Sequence, residues 1–387
     1  MRGTAALLAG TLLTGCATSG LAPVTSGSDT TLEADEKRLW QRSEEEQRAL
    51  DRSGLLYVDA ELEAYLNDVA RRLETPEVYQ RIPFRVRVLS NPRLNAFAFP
   101  NGVIYVHTGL LARLDNEAQL ATLLGHEMTH ATHRHAVREH RETKNKRAWL
   151  AGIQTTLGGI PGVGGLASVL GEIGATAAVT GYARDLERQA DVEGLRRVVR
   201  AGYDPGEAPK LFHVLKRDAE QEKAQTPLFY ATHPRLQERI ETYEEMLRTE
   251  LRDRRGGLTN AGVFRNKTTQ VVLDNTWMDL KAGRFEAARQ GSERLLAIRP
   301  NDPRGHYLLG EIVRQKGDRS VAAQAMAHYR KAIAVDRSYP EPHKGLGLVH
   351  FELGEKPQAR RALENYLSIA PQASDRAYIE EYIRLCK

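Results

Sequence analysis

Apolar positions along the chain change period several times. Residues 59–74 carry Leu62, Tyr65, Leu66, Val69 and Leu73 at helical spacing, and the charged stretch 32–53 keeps the same period, so both predict amphipathic helices. The period then shortens. Residues 83–89 alternate apolar and basic side chains, which predicts a half-buried strand, and 95–99 and 103–106 flank Pro100-Asn101-Gly102, a turn signal that predicts a hairpin. The helical period returns after Asp115 and Asn116, either of which can cap a long helix to about His140 with Leu120, Leu123, Leu124, Met128 and Ala131 as its stripe. Further helices are predicted over 183–200 and 233–249.

Two stretches break the pattern. Between Leu150 and Ala183 the single charge is Glu172, but Gly152, Gly158, Gly159, Gly162, Gly164, Gly165 and Pro161 interrupt it, so a partly helical cover near a site is predicted rather than a bilayer span. Residues 252–266, rich in Arg and Gly, read as a linker. Beyond them the chain repeats itself: Ala288, Ala325 and Ala359 recur near the 34-residue tetratricopeptide period, with Leu309-Gly310 matched by Leu346-Gly347 and Pro300 by Pro371. Three extra residues near Val321 fit a loop insertion. Such helix pairs bury their apolar faces by stacking into a curved array.

Composition narrows the class. In 387 residues, 41% hydrophobic and 27% charged is a globular mixture, and a formal charge of +5 is too slight and dispersed for a nucleic-acid binder. Cys16 and Cys386 cannot build a disulfide framework. The first residues read as a secretory signal: Arg2, a short apolar run from Ala5 to Leu13, then small residues. Leu13-Thr14-Gly15-Cys16 resembles a bacterial lipobox, which implies acylation of Cys16, and the polar stretch after it reads as a tether. Ala17 after that cysteine is similar to the outer-membrane sorting signal of Gram-negative lipoproteins.

Candidate chemistry centres on His126-Glu127-Met128-Thr129-His130. In this H-E-x-x-H pattern two imidazoles one turn apart share a helix face and can grip one zinc ion, with Glu127 beside the open position. A catalytic zinc needs a third protein ligand. His133 lies about 10.5 Å from His126 along a helix axis, too far to share an ion comfortably. Ala136 stands where a metzincin would place its histidine, so that subclass is disfavoured. His133, His135 and His140 read as polar-face residues. Glu187 is the better candidate; Asp191, one turn on, can accept a hydrogen bond from a ligand histidine such as His126.

The joint set of H-E-x-x-H, Glu187-x-x-Ala190-Asp191, Asn95-Ala96-Phe97-Ala98 and Asn101-Gly102-x-Ile104 resembles the gluzincin metallopeptidases of the HtpX/BepA-like family over about residues 55–245. The resemblance implies His126, His130 and Glu187 as ligands of one Zn2+ and Glu127 as general base, with Asp191 supporting. Thr232-His233-Pro234 is similar to the family's later histidine motif, which implies that His233 stabilises an oxyanion or caps the zinc.

The expected fold is α+β and mainly helical: a signal peptide (1–15), a lipidated tether (16–31), a zincin-type metallopeptidase domain with a small antiparallel sheet (32–250), a linker (251–268) and an α-solenoid of tetratricopeptide repeats (269–387). The expected function is zinc-dependent endoproteolysis of misfolded or stalled envelope proteins in outer-membrane quality control. The alternative is a chaperone or assembly scaffold with a latent zinc site. Expected partners are unfolded substrates, outer-membrane assembly machinery through the repeats, and a membrane through the lipid, with no nucleic acid; the expected location is the periplasm of a Gram-negative bacterium, anchored to its outer membrane.

Overall fold

The computed structural model describes residues 21–27, 31–142, 166, 169–221, 235–254, 256–317 and 319–387. The signal, Cys16, residues 151–165 of the glycine-rich stretch and His233 lie outside the described residues. No helix among the described residues is long and apolar enough to cross a membrane.

Helices α1 (Ala34–Arg52), α2 (Ala60–Arg72) and α3 (Pro76–Arg81) precede strands β1 (Arg85–Leu89), β2 (Ala96–Ala98) and β3 (Val103–His107). Asp59 caps α2 by accepting from Leu62 N, and Leu62, Leu66 and Val69 are buried as their spacing predicts. The predicted hairpin joins β2 and β3, with Gly102 at φ 88° and Phe97 opposite Tyr105. The sheet order is β1-β3-β2, and β1 runs parallel to β3. The sheet is therefore mixed, where an antiparallel one was expected. Side-chain alternation reports which face is buried and carries no information on the direction of the partner strand.

After the short α4 (Thr108–Leu111), α5 (Glu117–Thr132) is capped by Asn116, whose side chain accepts from Gln119 N. All sixteen of its residues are buried, so it is a central helix with no solvent face. The helix expected to reach His140 is broken: Arg134 takes a left-handed φ of 56°, and α6 (His135–Glu142) starts in a new direction. Next come α7 (Glu172–Ala175), a π-helical turn (Thr176–Thr180), α8 (Arg184–Arg200), α9 (Glu207–Gln221) and α10 (Leu236–Arg248). Helices α5 and α8 touch backbone to backbone. A Cβ on Gly194 would lie 2.8 Å from His126 N, and one on Gly125 2.9 Å from Gly194 O.

Residues 261–268, expected in the linker, are the first two turns of α11 (Ala261–Lys281). Phe264 and Val271 are buried in the same apolar core as Leu120, Leu124 and Leu195. Gly256 and Gly257 there serve positive φ angles, and Gly257 presses on the backbone of Tyr203 and Asp204. A buried ion network closes the seam. Arg113 donates to Asp218 and Asp279, each at 3.0 Å, and Arg284 pairs with Asp279 at 3.1 Å.

Helices α12 (Phe285–Ile298), α13 (Pro303–Gln315), α14 (Ala322–Val335), α15 (Glu341–Glu352), α16 (Lys356–Ile369) and α17 (Arg376–Leu385) complete the array. Ala288, Ala325 and Ala359 sit at the fourth residue of α12, α14 and α16, all fully buried. Gly310 and Gly347 each face the following helix, where a Cβ would meet Tyr329 or Leu363 at 2.6 Å. At the expected insertion near Val321 the chain makes a 3-10 turn, Arg319–Val321, before α14.

Candidate metal centre

The α5–α8 crossing assembles the site. Because Gly125 and Gly194 let the two backbones meet, side chains near that contact converge: His126 and His130 from α5 and, two turns before Gly194, Glu187 from α8. One donor atom from each of the three lies within 4.8 Å of the others, and all three residues are buried. The two Nε2 atoms are 3.0 Å apart; Glu187 Oε2 is 3.6 Å from His126 Nε2 and Oε1 is 3.4 Å from His130 Nε2. Four-coordinate zinc with bonds of about 2.0–2.1 Å sets its ligand atoms roughly 3.3 Å apart, so these separations fit one ion. Glu127, next to His126 on α5, is 1% exposed.

Each histidine is gripped from behind. Asp191 Oδ1 lies 3.0 Å from His126 Nδ1 and accepts from Tyr243 Oη at 2.7 Å. Arg239 Nε donates to both Asp191 oxygens at 3.1 and 3.0 Å. Its Nη2 lies 2.9 Å from His126 Nδ1 and 3.3 Å from Nε2, two atoms whose in-plane directions point apart, so the guanidinium covers the ring face. The ring-plane acceptor at Nδ1 is therefore Asp191, and the lone pair on Nε2 faces the centre. Burial alone would raise the Asp191 carboxyl. The Arg239 charge and the His126 hydrogen bond outweigh it and hold the group below the usual carboxylate range. His130 is stacked by Tyr182, ring centroids 4.2 Å apart, and touched by His135, Nδ1 to Nδ1, at 2.9 Å. Burial, followed by the negative charges of Glu127 and Glu187, pushes the Tyr182 phenol well above its ordinary value.

Of the residues singled out in the sequence, His126, Glu127, His130, Glu187 and Asp191 are thus brought together, while His233 and Cys16 lie outside the described residues. His133 and His135, expected on a polar face, are buried; burial lowers their imidazoles to about 4 and about 3. Tyr243, Tyr182, His135 and Gln189 were missed. Tyr243 had a signal, since it stands one turn after Arg239 on α10 and shares its face.

Residues 57–247 match the sequence profile of peptidase family M48, and residues 323–354 that of a tetratricopeptide (TPR) repeat. The segment 57–247 is an M48 metallopeptidase domain. The family is one of zinc enzymes, in keeping with the donor set above. The chain is 30% identical over 241 residues to the beta-barrel assembly-enhancing protease of Yersinia pestis, covering 59% of this chain and 49% of that protein. It is 24% identical over 355 residues to the protein of the same name in Escherichia coli (strain K12), covering 82% and 71%. The mitochondrial metalloendopeptidase OMA1 of Arabidopsis thaliana is 34% identical over 134 residues, 35% of this chain and 26% of that protein. The chain thus spans about half the length of the Yersinia relative.

Proposed function

We propose that this M48 enzyme is an envelope endopeptidase acting on misfolded or stalled outer-membrane proteins, with His126, His130 and Glu187 as zinc ligands and Glu127 as general base. The convergence of three buried donors within 4.8 Å on the H-E-x-x-H helix carries the reading. Zinc held there supplies Lewis acidity, which makes water ionisable near neutral pH and polarises a peptide carbonyl. The side chains do the rest. Glu127 takes the proton from the attacking water and returns it to the leaving amine. Asp191 keeps a proton on His126 Nδ1, so that Nε2 stays a ligand. His233 is the proposed oxyanion or capping residue.

The names of the Yersinia and Escherichia relatives support the substrate class and an envelope location, and the repeat array supports docking to outer-membrane assembly machinery. The leader and Cys16 support a periplasmic enzyme held at the outer membrane by lipid. With purified full-length protein and zinc, Glu127→Gln is expected to cleave unfolded casein about 10²–10⁴ times more slowly while keeping one zinc per chain. Equal rates would overturn the reading. The scaffold alternative draws on the buried Arg113–Asp218–Asp279 seam, which fixes the repeats to the peptidase. If Glu127→Gln restored the envelope of a deletion strain as well as the parent does, scaffolding would be the working role.

A further inference from the structure

The break between α5 and α6 places one side chain that the reading above does not use. On a continuous helix, His135 would stand about 140° around the axis from His130, and the two rings could not meet. The left-handed Arg134 instead folds the chain back, and His135 reaches His130 Nδ1 with its own Nδ1 at 2.9 Å while fully buried. A non-glycine residue in this conformation needs external support. Arg134 has it: its Nε lies 3.2 Å from Glu36 Oε1, and Val24 N donates to Thr132 O at 2.8 Å.

The protons along this contact are determined by what lies behind it. Arg138 Nη1 lies 3.0 Å from Gln189 Oε1, and because a guanidinium only donates, that atom is the amide oxygen. The same oxygen is 3.1 Å from His135 Nε2, which must then carry the hydrogen. A neutral His135 has its lone pair on Nδ1. His130 therefore donates from Nδ1 to His135, and its own lone pair is left on Nε2, the atom facing His126 and Glu187.

We propose that His135 is a positioning residue for the metal centre: with Gln189 and Arg138 it fixes the tautomer and ring plane of His130, as Asp191 does for His126. The inference rests on the ligand set proposed above. It assigns a reason for the helix break, which serves to return this imidazole to the ligand.

The test measures the Zn2+ dissociation constant of full-length protein by competition with a chromophoric chelator, and the histidine tautomers of the metal-free protein by 15N NMR. His135→Phe is expected to raise the dissociation constant by about 10–100-fold. His135→Asn, which returns an acceptor oxygen near the lost Nδ1, is expected to recover most of that loss. Gln189→Leu should raise the constant by less and reduce the Nδ1–H population of His130, while Gln189→Glu, still an acceptor for both Arg138 and His135, should keep that population. Parent-like zinc affinity in folded His135→Phe would overturn the proposal, as would a His135→Asn variant no tighter than His135→Phe. Should His135→Phe fail to fold, the two Gln189 variants decide by the same readouts, and an unchanged tautomer in Gln189→Leu overturns it. A parent that binds no zinc would strike the ligand set; the metal-free spectrum would still decide the proton relay.

Discussion

The two flanks of the donor set solve one problem with different chemistry. Behind His126 stands an ion pair with a neutral phenol, Asp191 being bonded to the Arg239 guanidinium and to the Tyr243 hydroxyl. Behind His130 stands the neutral pair His135 and Gln189, with its one charge, Arg138, a residue further out. Both arrangements leave an imidazole lone pair facing the centre. They differ in what happens when they are cut. A buried ion pair that loses one member leaves an uncompensated charge, whereas a neutral relay loses hydrogen bonds alone.

The largest expected effect follows from that difference. Asp191→Ala takes from Arg239, which is 4% exposed, its hydrogen-bonded carboxylate, leaving Glu187 Oε2 at 3.6 Å as counter-charge, and removes the acceptor of His126. We expect the unfolding free energy to drop by about 3–5 kcal/mol and zinc affinity to fall about 10–100-fold. Urea denaturation of the metal-free protein, beside a chelator competition, reads both. His135→Phe should show the affinity loss with far less loss of stability. Equal stability losses in the two variants would erase the distinction between the flanks.

A smaller effect is expected from a change that disturbs both flanks at once. The Cβ of Gly194→Ala would press on His126 N at 2.8 Å, a backbone atom that cannot rotate away. Overpacking of this kind costs about 1–3 kcal/mol. Because the crossing sets the distance from Glu187 to both histidines, we expect zinc affinity to weaken in the same variant, measured by the same competition. A variant destabilised but with parent affinity would show that the donors re-form after the helices part.

How much of this was legible in the sequence depends on whether the information is periodic or relational. The three clustered donors were legible because H-E-x-x-H is helical arithmetic and because the Glu187/Asp191 spacing stood beside a resemblance to a known family. The repeats were legible because Ala288, Ala325 and Ala359 recur at equivalent buried positions. Strand direction was not, since β1 and β3 alternate alike whichever way they run. The end of the expected linker proved helical because its Arg and Gly content hides Phe264, whose burial depends on the core it meets. His135 was misread for the same reason: its role depends on Arg134 adopting a left-handed turn that no spacing announces and that contacts from Glu36 and Val24, about a hundred residues away, hold in place.

A last effect concerns buried imidazoles outside the two flanks and is read in acid. Burial lowers the imidazoles of His107 and His133 from 6.5 to about 4. Between those values the unfolded chain binds protons that the folded chain refuses, so stability is full above about 6.5 and declines as pH falls towards about 4. The Asp191 carboxylate behaves otherwise. Its folded value lies below its unfolded one, so its contribution survives this window and is lost only as pH drops through the lowered value. At about 1.4 kcal/mol per pH unit, His107 alone can account for at most about 3 kcal/mol across the window. Urea midpoints of the metal-free protein at several values between pH 7 and 4.5 should therefore decline in the parent and decline less in His107→Gln, by up to one proton's worth of slope. Parallel slopes would mean that the buried His107 takes up its proton in the folded state, against Arg93 O at 3.2 Å, and that burial leaves this imidazole able to charge.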